Sequence, residues 1–141
     1  MATWQEVEKL LVHFQMEKNE NGAWIGGYQL NDRSQIFSVY KISDLKDQIE
    51  QLDFDLLYIA SPFIEARLVA ESTDRFIKLV ASVKPPFGIV NTPINVLEVA
   101  TTIPLKSISI NDLEPILEKS IRAICIRADL YENFITGEDN W

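Results

Sequence analysis

Cysteine and histidine are nearly absent from the 141-residue sequence: Cys125 and His13 are the single representatives of each. One cysteine excludes a disulfide framework within the chain and leads us to expect a reducing, cytoplasmic compartment. One cysteine and one histidine, far apart in sequence, fall short of the roughly four ligands of a structural zinc site. Long apolar runs are missing too. The longest uncharged stretch, Pro85–Leu97, has thirteen residues and is broken by three prolines, whereas a membrane helix needs about 20 apolar residues. Residues 1–8 carry no basic region and no apolar signal core. Basic residues are few: 13 Lys and Arg against 21 Asp and Glu give a net charge of −8. Such a chain repels nucleic acid and anionic membranes unless it holds a local basic patch. The nearest approach to one is 61–106, where five basic and four acidic residues nearly cancel; Arg67, Arg75, Lys78 and Lys84 are dispersed, without interleaved stacking aromatics. Neither nucleic acid nor membrane is expected as a partner.

What is present is a globular composition, 47% hydrophobic and 24% charged, in a length that suits one domain spanning 1–141. A chain of this size buries enough surface to need no covalent staple. Thr3 and Glu6 form a capping-box pattern, and Trp4, Val7, Leu10, Leu11 and Phe14 recur at helical spacing behind it. The polar Glu17–Gly22 closes that helix, with Asn21-Gly22 as the stop. Ala23–Leu30 and Gln35–Ile42 read as strands around the polar turn 31–34; Gly26-Gly27 inside the first predicts a bulge or a close backbone approach. Leu45, Ile49 and Leu52 permit a short helix over 43–52. A third strand is expected over Asp55–Phe63, with Pro62 ending its regular pairing. Helix follows within Ile64–Val83, at least from Ser72, with Phe76, Leu79, Val80 and Val83 as its stripe and Pro85-Pro86 as its terminator. Phe87–Asn91 and Ile94–Ile103 are the fourth and fifth strands. A final helix runs from Ser109 or Asn111 to about Ile135, with Asn111 and Glu114 as a second capping pattern and Pro115 in its first turn. The tail Thr136–Trp141 is polar. The expected fold is α+β: helix, three strands, helix, two strands, helix, an antiparallel meander with helices on one face.

Two stretches carry a resemblance. Phe87-Gly88-Ile89-Val90, followed by Val96–Leu105 with its apolar-Pro-Leu end, resembles the late hairpin of the YbjN-like and type III secretion chaperone-like superfamily. Ser109–Glu114, opening an amphipathic helix with Ala128-Asp129 near its end, is similar to the last helix of that superfamily, within which the chain as a whole resembles a cyanobacterial and plastid branch of unknown function. The resemblance implies a small, acidic, often dimeric protein whose chaperone relatives hold a partner segment in extended form. It brings no catalytic residues.

Residues with chemical potential are each better explained without catalysis. A Ser-His-Asp arrangement would have to use His13, which sits beside Phe14 in a helix with no nucleophile signature nearby. Cys125, between Ile124 and Ile126, reads as a small buried apolar residue, although Arg122 and Arg127 could activate it if they approached. Asp53 and Asp55 share a side of an extended segment but lack a calcium-loop pattern. Gly26-Gly27 is too short for a phosphate cradle. No cofactor, metal ligand set or catalytic residue is assigned, and an enzyme acting on a small metabolite is the second reading. The first is a homodimeric protein-binding module. Trp4, Trp24 and Trp141 are interface candidates by residue type. Phe76, Leu79 and Val83 are candidates for the dimer, and Val96 and Val99 for capture of a basic, apolar segment, should Ile94–Ile103 lie at or near a sheet edge.

Overall fold

The computed structural model describes residues 1–42 and 55–137. The expectation for 43–52, Asp53 and Trp141 fall outside the described residues. Helix α1 (Trp4–His13) starts on the expected capping box: the Glu6 N–H donates to Thr3 Oγ1 at 3.3 Å and the Thr3 N–H to Glu6 Oε1 at 3.0 Å. Six strands follow: β1 (Glu17–Lys18), β2 (Trp24–Gln29), β3 (Ser34–Ile42), β4 (Leu56–Glu65), β5 (Phe87–Asn91) and β6 (Val96–Pro104). A 3₁₀ segment (Ala66–Glu71) and helix α2 (Thr73–Ser82) stand between β4 and β5, and helix α3 (Leu113–Thr136) follows β6. The fold is α+β, with one antiparallel sheet in the order β1-β2-β3-β4-β6-β5.

Three expectations need correction. The polar segment after α1 is not only a stop: Glu17 and Lys18 pair with Ile25 and Trp24 and add a sixth strand. The sheet is not a simple meander, and the final strand lies next to an edge rather than at it. β6 returns between β4 and β5, paired on both sides, so the far edge is β5. Asn111 does not cap α3: Asp112 holds that position without a side-chain cap bond, and Ser109 Oγ donates to Asp112 Oδ2 at 2.8 Å instead. The helix ends at Gly137, whose left-handed φ of 75° lets its N–H reach Asn133 O at 3.0 Å.

Pro62 shows how side chains replace backbone where a strand loses a donor. Regular β3–β4 pairing ends at Ser38 and Ala60, as the proline predicted, while β4 continues to pair with β6 through a register shift between Pro62 and Ile64. By the alternation of the ladder, residue 62 would exchange bonds with Ile36. Proline has no N–H, and Ser61 Oγ donates to Ile36 O in its place, at 2.5 Å. Pro62 O is served by Gln35 Nε2 at 3.0 Å, and the same amide donates to Ser61 Oγ at 2.9 Å. Gln35 and Ser61 are fully buried, so this exchange satisfies groups that water cannot reach.

Alternation along the strands separates two faces. Trp24, Phe37, Val39, Leu57, Ile59 and Val99 point into a core shared with Val7 and Leu11 of α1, Leu79 of α2, and Leu117, Ile121 and Ile124 of α3. The opposite face carries a separate cluster of Tyr58, Ala60 and Ala100, flanked by Tyr40 and Ile42. The helices described therefore pack on one face, as expected.

Candidate partner-binding surfaces

The sheet has two open edges, and the ladder shows which backbone groups each presents. At one end, Asn19 N–H donates to Ala23 O at 2.8 Å and Leu30 N–H to Arg33 O at 2.7 Å. Alternation from those anchors points Ala23 and Ile25 toward β1, and Trp24, Gly26 and Tyr28 toward β3. β1 stops at two residues, so Gly27 and Gln29 turn their N–H and C=O groups outward with no strand beside them among the described residues. Gly26 is there because of a close approach: a Cβ would lie 2.9 Å from Met16 Cγ and 2.9 Å from Phe37 Cζ. Gly26 and Gly27 stay in continuous register with β3, so no bulge forms.

Beside this half-strand lies a cleft of about 630 Å³ between β2 and α3, lined by Phe14, Met16, Tyr28, Phe37, Ile121 and Arg122 among others. A second depression of about 470 Å³ shares Tyr28 and Arg122 and continues past Ile126 to Leu130. The rim is not acidic: Lys119 and Arg122 stand with Glu118. An unpaired strand edge running along a groove of mixed polar and apolar lining suits an extended segment, since backbone bonds supply affinity and alternate side chains enter the groove.

The sheet face away from the helices is the second surface. Ile25 and Ile36 are exposed on it. Tyr40 and Tyr58 stack with ring centroids 4.5 Å apart, and Tyr58 Oη donates to Glu98 Oε1 at 2.7 Å. Burial pushes the Glu98 carboxyl up, against the pull of the Tyr58 bond; burial and the bond to Glu98 push the Tyr58 phenol up.

Most of the interface candidates chosen from sequence lie in the core. Val99 is fully buried, Leu79 and Val96 are buried, and Trp4, Phe76 and Val83 pack against the core. Trp24 is buried and donates Nε1–H to Glu8 Oε2 at 3.0 Å. The correction has a plain cause: apolar periodicity marks what a fold buries, and a docking residue must be left out of that pattern. The exposed apolar residues are others, including Ile77, Val80, Val90, Ile94, Leu130 and Phe134. Ile77, Val90, Ile94, Leu130 and Phe134 lie off the expected core stripe of their helix or at a strand end; Val80, expected on the α2 stripe with Phe76, Leu79 and Val83, is 47% exposed instead.

Several chemistry-bearing side chains are held in packing or ion-pair contacts. Cys125 is fully buried against Ser61, and burial pushes its thiol up to about 12, far from the depressed range of a nucleophile. Arg127 does not approach it as an activator; its guanidinium stacks on Phe87 at 3.8 Å. Arg33 ties the β2–β3 turn to α3 through Asp129 at 3.6 Å and Glu132 at 3.8 Å, and also bonds Gln35. His13 lies at the exposed end of α1, 6.0 Å ring to ring from Phe14. Asp55 pairs with Lys41 at 3.8 Å. Among the described residues no group of three or more His, Cys, Asp or Glu is placed to hold a metal ion, and no helix is long and apolar enough to cross a membrane. Compared with protein-family models and with curated proteins, the chain matches none.

Proposed function

We propose that the protein is a non-enzymatic binding module, chaperone-like or an assembly factor, that holds an extended segment of a partner protein and works as a homodimer. The observation that carries this reading is the outward backbone of Gly27 and Gln29 alongside the groove between β2 and α3. The segment adds a strand to β2 and sends alternate side chains between Tyr28 and Ile121. Charge acts at two ranges. The net charge of −8 favours approach of a basic partner and makes association salt-sensitive. At contact, Lys119 and Arg122 on the groove's rim accept an acidic side chain within the segment. The resemblance to secretion chaperones supports this reading, and so does the inert setting of Cys125.

The test is a pair of substitutions at outward backbone N–H groups; Gly27→Pro removes no side-chain bond, whereas Gln29→Pro also gives up the bonds of the Gln29 amide to Leu30 O and from Ser34 Oγ in the β2–β3 turn. Gly27→Pro and Gln29→Pro each remove an N–H that points away from β3. A photo-crosslinking residue at Gln29 of the full chain, used in cells, identifies the captured protein. The expected result is a crosslinked partner segment at Gln29 and its loss in Gly27→Pro, with the far-ultraviolet circular dichroism unchanged. A folded Gly27→Pro variant that captures the same partner to the same extent refutes the reading.

A further inference from the structure

The second open edge differs from the first in being complementary to itself. In the β5–β6 hairpin, Thr92 N–H donates to Val96 O at 3.0 Å. Alternation from that anchor points Gly88 and Val90 toward β6 and leaves Phe87, Ile89 and Asn91 facing outward. The Phe87 N–H is used locally, on Lys84 O at 3.1 Å. Native sheets guard an edge with charge, an internal proline or a bulge. β5 has none of these: it sits in the uncharged run Pro85–Leu97, pairs in continuous register, and has its prolines outside the strand at 85, 86 and 93.

We infer that β5 is the homodimer interface, pairing antiparallel with β5 of a second copy about a two-fold axis at Ile89, to make one continuous twelve-stranded sheet. This rests on the homodimer reading and supplies its contact. The register is the one that pairs all five residues. Ile89 exchanges both backbone bonds with Ile89 of the second copy, and each Phe87 C=O accepts from the opposite Asn91 N–H. Val90 then faces Gly88 of the second copy in a non-hydrogen-bonded pair, where side chains come closest. Val90 is 39% exposed, and a Cβ on Gly88 would meet nothing within 4 Å, so the valine of each copy fills the space the glycine of the other leaves. The same register carries Ile94, 79% exposed at the hairpin tip, toward Lys84 of the second copy, just past the end of its α2. A stable dimer buries about 800 Å² per partner. The strand edge supplies part of that, and Ile94 with the exposed Ile77 and Val80 of α2 supplies apolar area on the element leading into β5. The open half of β2 stays free at both far ends of the joined sheet, so the dimer leaves both partner grooves accessible.

Sedimentation equilibrium of the full chain, over a concentration series, tests this with two substitutions at exposed positions. Val90→Lys places a charge against Gly88, and Asn91→Pro removes an outward N–H that has no hydrogen bond to another of the described residues. The expected result is a dimeric wild type, and a monomeric double variant with unchanged circular dichroism and, at low concentration, an unchanged far-ultraviolet melting profile. A second measurement checks register. The double variant Gly88→Cys with Val90→Cys, oxidised in air, should form a covalent dimer, whereas Ile89→Cys, across a hydrogen-bonded pair, should crosslink poorly. A wild type that stays monomeric at high micromolar concentration overturns the homodimer reading and the interface together. A wild-type dimer that persists in the folded Val90→Lys, Asn91→Pro variant overturns the β5 interface alone.

Discussion

The neighbouring glycines of β2 should respond to the same substitution with opposite signs. Replacing either with alanine narrows the unfolded ensemble, a gain of about 0.4–1 kcal/mol where the native site accepts a methyl group. Gly27 does: its Cβ would sit 3.4 Å from Ser34 Cβ, an ordinary contact. At Gly26 the methyl would lie 2.9 Å from Met16 Cγ, 2.9 Å from Phe37 Cζ and 3.1 Å from Phe37 Cε1. Met16 is flexible, but Phe37 is a buried ring on the strand paired directly with Gly26 and has little room to retreat. Inserting a methylene-sized group into a packed core costs about 1–3 kcal/mol. The entropic gain offsets only part of that, so Gly26→Ala should lose about 1–2 kcal/mol and Gly27→Ala should gain up to about 1 kcal/mol. For a domain of this size that is roughly 3–4 °C of Tm per kcal/mol. Urea denaturation with unchanged m-values is the assay, and in a double-mutant cycle the loss on Gly26→Ala should shrink in a Met16→Ala background, although Met16→Ala is itself destabilising at a buried site. Two variants equally stable, or Gly26→Ala above wild type, would refute the close-approach reading.

Three further outcomes are expected. Burial raises the Cys125 thiol from its ordinary value of 9.0 to about 12 in the fold. Its contribution is present below pH 9 and is lost as pH rises through 12, an effect on the order of 4 kcal/mol at the limit; Cys125→Ala should flatten stability between pH 9 and 11, measured by urea midpoints in both proteins. Gln35→Leu strips Pro62 O of its donor inside the core and should cost about 1–3 kcal/mol, read from thermal melts. Val99→Lys buries an unpaired charge at a fully enclosed site and should unfold the protein rather than weaken partner capture, which circular dichroism distinguishes at once.

The sequence was most readable where one physical rule acts alone. The capping box at Thr3 and Glu6 needs only three residues of separation, and it stands as expected. Gly26 was partly legible: glycine in a strand interior pointed to a bulge or a close backbone approach, but the register is continuous and what comes close is the side chains of Met16 and Phe37. Pro62 was half legible. Its missing donor ends pairing on the side of β3 where that donor would have served, but the β6 side uses other residues, and the strand continues. β1 was illegible, since two polar residues, Glu17 and Lys18, have no periodicity to show. The position of β6 was equally hidden: nothing in Val96–Pro104 says which of two antiparallel neighbours lies outside it.

The candidate site failed to appear in the sequence for a related reason. The interface residues chosen there were large and apolar, and large apolar residues at regular spacing are the ones a fold takes inside. What remains outside is defined by absence: a hairpin strand too short to cover its neighbour, a glycine with empty space beside it, a valine one residue from a strand end. The two edges also differ in composition. β2 carries its glycines over a groove with charged residues on its rim, which suits a segment of variable sequence held by its backbone. β5 carries no charge for thirteen residues around it, so its best match among strands of similar length is one equally uncharged, flanked by the same prolines and offering a glycine opposite a valine. That description fits β5 itself, and a mixed dimer of wild type with the Val90→Lys, Asn91→Pro variant should accordingly form less readily than the wild-type homodimer.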